Sequence, residues 1–231
     1  MTDAEESTYL THAQTQDEGA GVPYGSPVVA DFWFDPVCPW AWITSRWMRE
    51  VEQVRPVQVR WHIMCLSILN ADKEKTERYQ KLMDQSLASG RVVTAAARYA
   101  SKLNLDQHSV EGSLYTELGR RFHVEDRPFD TALFREALEA TELPAELAEA
   151  ATSAGFDAEL RTSHDSGMKH VGMKVGTPII SVPGNSFFGP VVTPAPKGEK
   201  AGRLWDGVLL VSETDGFFEL KRTRTRKPQF D

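Results

Sequence analysis

The first group in this chain able to do chemistry is a sulfur. The stretch VVADFWFDPVCPWAWITSRWM, residues 28–48, sets Cys38 ahead of Pro39, Trp40 and Ala41. Thiolates, not thiols, are the nucleophiles of sulfur chemistry. At a helix N-terminus the free N–H groups and the helix dipole favour the charged form. Thiols placed there titrate at about 3.5–7.5. The spacing predicts such a placement for Cys38, with a lowered pKa. Asp35, three residues earlier, opposes that shift if it faces the sulfur. The competing reading is a small buried apolar side chain, as most lone cysteines are. Context favours the nucleophile: an apolar run, Asp-Pro, Cys-Pro-Trp, then an amphipathic segment.

A second chemical signal is Val175-Gly176-Thr177-Pro178. A Gly-Thr-Pro entering a strand is a setting in which cis proline occurs. Pro178 cannot donate to a strand ladder, so it belongs at a strand start. The other cysteine, Cys65, follows the second predicted strand. Parallel neighbours end on the same sheet edge, which would bring Cys65 to the side of Cys38. A disulfide needs Cα atoms within about 7 Å, and the default for Cys65 is a core thiol. The six histidines show no metal-ligand spacing and no Cys/His cluster, so no metal site is expected.

A few predicted elements must position these groups. Val28 to Phe34 is a valine- and aromatic-rich run between Ser26-Pro27 and Asp35-Pro36, and reads as a buried strand. From Pro39 the apolar residues Trp40, Ile43, Trp47, Val51 and Val54 recur at helical spacing, and proline suits the first helical position. Val57 to Met64 reads as a second strand after Pro56. Strand, helix, strand predicts a parallel βαβ unit. Thr177 to Val182, the turn signal Pro183-Gly184-Asn185, and the run to Val192 predict a β-hairpin. A last helix is expected from about Glu199 to Ser212.

Between these halves lies an Ala-, Leu-, Glu- and Arg-rich tract. Its predicted helices are Lys73–Ser89, Val92–Leu103, Ser109–Phe122, Asp130–Glu142, Ala145–Thr152 and Asp157–Val171. Breaks are expected at Gly90, near Asn104, at Arg127-Pro128, at Pro144 and at Gly155. Neither flanking half has enough strands to stand alone. The expected organisation is therefore one α/β sheet domain, residues 27–70 and 172–231, with a helical insertion, residues 71–171.

Bulk properties exclude some classes. The formal charge is −7, from 33 acidic and 26 basic residues in 231. That argues against nucleic acid as the main partner. No run of about 18 apolar residues exists, so no membrane span is expected. Residues 1–26 are acidic and polar, lack the features of a secretory signal, and are expected to form a disordered arm. The cytoplasm is the expected location, where two cysteines stay reduced.

Together the two motifs resemble the DsbA-like thioredoxin-fold family, in which a helical domain is inserted between βαβ and ββα halves. FWFDPVCPWAWITSRWM, VGTPIISV, FFGPVVTPAP, GRLWDGVLLV and ELKRTRTRKPQFD further resemble the actinobacterial mycothiol-dependent reductases described as nitroreductases. The resemblance runs from about Pro27 to Asp231. It implies a cytoplasmic enzyme with mycothiol or another low-molecular-weight thiol as cosubstrate, acting on a small electrophilic or disulfide substrate. It also implies that Cys38 faces a cis-proline loop carrying Thr177 and Pro178. Ala41 departs from a Cys-x-x-Cys pattern and cannot resolve a mixed disulfide. Two routes stay open: a mixed disulfide resolved by a second small thiol, or activation of a bound thiol without covalent attachment. Kappa-class glutathione transferases and hydroxychromene-carboxylate isomerases share this architecture, and a non-catalytic binding protein is a third reading.

Four residues are expected to support the thiol site. Pro39 opens the helix. Trp40 is a ligand platform or helix packing. Asn70 binds a ligand or caps a helix beginning near Ala71. Tyr79 lines the cleft between lobes or the core of the helical one. Trp42 and Trp47 are read as core; His164 and His170, on the helix leading to the Gly-Thr-Pro loop, are read as surface residues, with stabilisation of the thiolate by one of them as the alternative. The basic tail, with Lys221, Arg222, Arg224, Arg226 and Lys227, reads as an edge strand that attracts an anionic thiol or as a solvated surface. The apolar hairpin leaves a homodimer open.

Overall fold

The computed structural model describes residues 27–172 and 174–230. The expected disordered arm, residues 1–26, lies outside them. Strand β1, Val28–Phe34, ends where Asp35 and Pro36 begin a turn. Helix α1, Pro39–Val54, has proline at its first position. It buries Trp42, Ile43, Trp47, Met48 and Val51 along one face, the stripe its periodicity predicts. Arg55 then turns extended ahead of Pro56, as residues before proline do. Strand β2, Val57–Ile63, alternates cleanly: Val57, Val59, Trp61 and Ile63 point inward while Gln58 and Arg60 face solvent. It pairs parallel to β1, from Val28 opposite Val57 to Phe34 opposite Ile63.

The return half supplies β3, Ile179–Val182, and β4, Asn185–Phe188, antiparallel to each other and with β3 antiparallel to β1. The sheet order is β2-β1-β3-β4, so both halves of the chain share one sheet. Gly184, at φ 86°, makes the hairpin turn, a conformation glycine adopts without a Cβ penalty. The strand pairing stops at Phe188, and Val191 and Val192 lie beyond it.

The intervening helices are α2, Leu66–Leu69; α3, Glu77–Lys102; α4, Gln107–Gly119; α5, Thr131–Ala140; and α6, Asp157–Val171. A π-type turn, Arg120–Val124, extends α4, and Ala145–Thr152 is a 3-10 segment. Helix α7, Glu199–Ser212, follows the hairpin. The break expected at Gly90 is absent: α3 runs through it. Its Cα faces Leu160 of α6 so closely that a Cβ would stand 3.1 Å from that side chain. The glycine serves close packing, which outweighs its cost of about 1 kcal/mol in a helix interior.

The same device brings helices onto the sheet and onto α1. A Cβ on Gly112 of α4 would collide with Trp61, and one on Gly119 with Trp42. Tyr115, between them, stacks on Phe34 with ring centroids 3.8 Å apart. On another side, Trp47 of α1 meets Trp205 of α7, and its indole donates to the Ala201 carbonyl at 3.1 Å. Trp42 and Trp47 are core residues, as expected. The Arg-Thr tail forms no strand; residues 217–230 run as irregular chain. Its polar alternation offered a period of two but no apolar face to bury, and burial fixes a strand.

Candidate thiol site

Cys38 is the N-cap of α1, at φ −80° and ψ 111°. Its Sγ accepts the Ala41 N–H at 3.5 Å and donates to the Thr177 carbonyl at 3.4 Å. The structure thus brings the two sequence motifs together. The Thr177-Pro178 peptide bond is cis. Thr177 is pinned to β1 by its hydroxyl, which donates to the Trp33 carbonyl at 2.8 Å. The Pro178 carbonyl accepts from Gly189 N–H at 2.9 Å, and β3 begins only at Ile179, where the missing proline donor no longer matters.

The electrostatics depart from expectation. Cys38 is only 7% exposed, and burial pushes its thiol up to about 12. The Ala41 and Trp40 N–H groups and Arg224 pull it down, but desolvation outweighs them, and the Asp35 charge adds to it. The helix N-terminus works as predicted; what the spacing could not show is the loss of water around the sulfur. In this conformation Cys38 is a neutral thiol that donates a hydrogen bond.

Asp35 is wholly buried. One carboxylate oxygen accepts from Val37 N–H at 2.9 Å, the other from Leu66 N–H at 2.6 Å and the Ser86 hydroxyl at 2.5 Å. Burial raises its pKa to about 6, against these three hydrogen bonds. Because the folded value lies above the ordinary aspartate value of 3.8, the proton-bound form favours the fold. That contribution is fully present below about 3.8 and is lost as pH rises through about 6. Above that range the Asp35 charge opposes thiolate formation at Cys38.

Cys65 caps α2 and is wholly buried. Its sulfur lies 3.4 Å from the Ser86 hydroxyl, and burial pushes its pKa up to about 11. Both cysteines are free thiols. His164, expected at the surface, is instead buried, and its Nδ1 accepts the Cys65 N–H at 3.3 Å. Helix α6 turns it inward, where the spacing gave no sign of a partner. His170, in the last turn of α6, is exposed.

The other expected site residues fall unevenly. Pro39 follows the thiol directly, and Trp40 is half-buried. Asn70 does not start a helix: it closes α2, and its side-chain amide donates to the Leu66 carbonyl at 2.8 Å. Tyr79 stands 37% exposed on the first turn of α3.

Two contributors were not legible. The tail crosses the first turn of α1, with the Arg224 guanidinium 4.7 Å from the Trp40 ring centroid. Further along, Gln229 N–H donates to Thr193 at 2.9 Å, and Phe230 packs 5.2 Å from His123. His123 donates from Nε2 to the Pro36 carbonyl, 2.9 Å away, since a carbonyl can only accept. Burial lowers its pKa to about 4, so it is neutral near pH 7. Forty residues or more separate each partner from the motif, and only the fold joins them.

A βαβ and ββα sheet interrupted by helices, with a helix-capping cysteine against a cis-proline loop, is a thioredoxin fold with a helical insertion. A family profile described as "Mycothiol-dependent nitroreductase Rv2466c" matches residues 37–222. The chain belongs to this Rv2466c-like family and is a thiol-dependent oxidoreductase. An uncharacterised Mycobacterium tuberculosis protein, Rv2286c, is 26% identical over 197 residues, spanning 84% of this chain and 82% of the relative. A probable DsbA oxidoreductase from Streptomyces coelicolor superposes with a TM-score of 0.52 at 15% identity, covering 86% of this chain and 94% of that one. A 2-hydroxychromene-2-carboxylate isomerase gives the same TM-score at 12% identity, over 79% and 93%. These structural likenesses show the fold alone. Among the described residues, no helix is long and apolar enough to cross a membrane.

Proposed function

We propose that this protein is a cytoplasmic mycothiol-dependent reductase in which Cys38 acts alone. The observation that carries the reading is the Cys38 sulfur held between the Ala41 N–H and the Thr177 carbonyl, with alanine where a resolving thiol would stand. In a first step the Cys38 thiolate attacks the mycothiol sulfur of a mixed disulfide between mycothiol and a substrate thiol. The new bond joins Cys38 to mycothiol, and the substrate leaves as a thiol after taking a proton. A second mycothiol thiolate then attacks the bound mycothiol sulfur. It releases Cys38 as a thiolate and forms mycothiol disulfide: the substrate sulfur has left with the electron pair of the original disulfide bond, and the second mycothiol sulfur has taken its place in the new one. Pro178 and Thr177 shape the groove, Trp40 offers a flat wall, and Pro39 sets the helix start. Tyr79, exposed on the first turn of α3, contacts the small thiol or substrate in this reading, and Asn70 holds the end of α2 beside it through the Leu66 carbonyl.

Chemistry requires the sulfur to meet water. Residues 217–230 are the segment that must lift, because Arg224 rests on Trp40 beside it. Deleting residues 217–231 is expected to speed iodoacetamide alkylation of Cys38 at pH 7 by at least about tenfold, as the thiolate fraction rises. Peptide mapping of the alkylated sample assigns the site. An unchanged rate in a folded, truncated protein would show that the tail does not control access.

A second reading is favoured by the same neutral thiol. A Cys38 that donates a hydrogen bond can orient a bound small thiol without reacting, as a transferase or isomerase site would. Steady-state assays with and without mycothiol, on wild type and Cys38→Ser, separate the two readings.

A further inference from the structure

The face of the sheet that meets α6 carries Asp31, Trp33, Arg60 and His62. Trp33 donates to the Ser163 carbonyl of α6, and its ring stacks on His62 at 4.6 Å. Helix α4 arrives beside this face with His108 and Glu111, one turn apart and so on the same side. One ligand atom from each of His62, His108 and Glu111 lies within 4.8 Å of the other two. Sequence spacing concealed the group, because His62 sits on β2, and only its packing against α4 completes the set.

Three observations point to an ion. First, both imidazoles are oriented from behind. His62 Nε2 lies 2.6 Å from Asp31 Oδ1, and His108 Nδ1 lies 3.0 Å from the Trp61 carbonyl. The carbonyl can only accept, and an ionised carboxylate likewise, so each of those nitrogens carries the proton. The other nitrogen of each ring is then the one left for a metal; at His108 the nitrogen nearest Glu111 is Nδ1, 3.6 Å away, so ligation through Nε2 turns that ring. Carboxylate- or carbonyl-backed histidine is the usual arrangement of metal ligands. Second, Glu111 is only 4% exposed. Its ion-pair neighbour is His108, at 3.6 Å, and no lysine or arginine pairs with it among the described residues. A buried carboxylate needs a partner of opposite charge, and a cation held among these three groups would supply it. Third, His62 and Glu111 both line a cavity of about 310 Å³, with Arg98, Lys102 and Ser163 on its walls.

We propose that His62, His108 and Glu111 bind a divalent transition-metal ion of the zinc type, with a coordination position open to this cavity. Two imidazoles and one carboxylate form a ligand set that zinc uses where a position stays open. Cobalt(II) and nickel(II) suit the same donors. Bonds of about 2.0–2.2 Å put tetrahedral ligand atoms roughly 3.4 Å apart, so metal binding would draw the groups in from their present spread of up to 4.8 Å, with rotation of the His108 ring. The site shares no residue with the Cys38 site and replaces the expectation that the protein has no metal site.

The test is cobalt(II) titration of the chelator-treated, full-length protein under reducing conditions. One equivalent should bind, with a tetrahedral or five-coordinate d–d spectrum and no thiolate-to-cobalt charge-transfer band. Zinc should displace it. Glu111→Gln and His108→Gln should weaken binding by at least about tenfold, and Asp31→Asn, which leaves all three ligands in place while loosening the His62 support and the Arg60 ion pair, by about ten- to a hundredfold. Circular dichroism checks folding. If Glu111→Gln does not fold, the partly exposed Asp31→Asn decides. No binding, binding that survives these substitutions unchanged, or a thiolate charge-transfer band would overturn the proposal.

Discussion

Cys38→Ser is expected to lower kcat/KM for mycothiol-dependent disulfide reduction by at least about 10³-fold, the scale on which losing a nucleophile acts. The hydroxyl can still accept from Ala41 N–H and donate to the Thr177 carbonyl, the two contacts that hold the sulfur. The helix start and the cis-proline loop should therefore survive, and stability should change by no more than about 1 kcal/mol, the worth of one such bond. What serine cannot do is accept the bond to a second sulfur and release it again. Initial rates with saturating mycothiol make the measurement, and melting curves check the fold. A variant keeping more than a tenth of the rate would remove the covalent role and favour a site that only positions a bound thiol.

Ala41→Cys should convert the site to internal resolution. Ala41 stands three residues into the chain from the N-cap, and its N–H already touches Sγ of Cys38. Side chains three apart on a helix have Cβ atoms about 5–6 Å apart, a spacing that modest adjustment brings into disulfide range. Oxidised variant should lose two hydrogens by intact mass and carry no small-thiol adduct. The introduced thiol attacks from within the site, and tethered reactants gain effective molarities far above free thiol concentrations. Adduct lifetime should fall by at least about a hundredfold. Position 41 is wholly buried, so the added sulfur is expected to destabilise by about 1–3 kcal/mol through overpacking. An oxidised variant that holds its adduct as long as the wild type does would show that Ala41 is not what prevents self-resolution.

Much of the fold was readable because its signals are local. Pro39 marks the start of α1, Pro56 follows its end, Pro183-Gly184 marks the hairpin, and alternation sets the face of β2. Gly90 misled because the same residue serves as a helix breaker and as a close-packing surface; only the position of Leu160 decides between them. The site was legible in part. Cys38 and Thr177-Pro178 announced themselves by type and setting, and the fold brings them together. The thiol's burial was not legible, since it depends on groups far along the chain. Arg224, His123 and the tail reach the motif only in three dimensions. The grouping of His62 with His108 and Glu111 has the same character: strand and helix each present ordinary surface chemistry until they meet.

Cys38 as a one-thiol nucleophile is tested most directly by intact-mass analysis of reduced, folded protein incubated with mycothiol disulfide. The account predicts one mycothiol joined through a disulfide, mapped to Cys38, absent from Cys38→Ser, and removed by excess mycothiol. An unmodified chain, in a sample whose Cys38 still reacts with iodoacetamide, would contradict it.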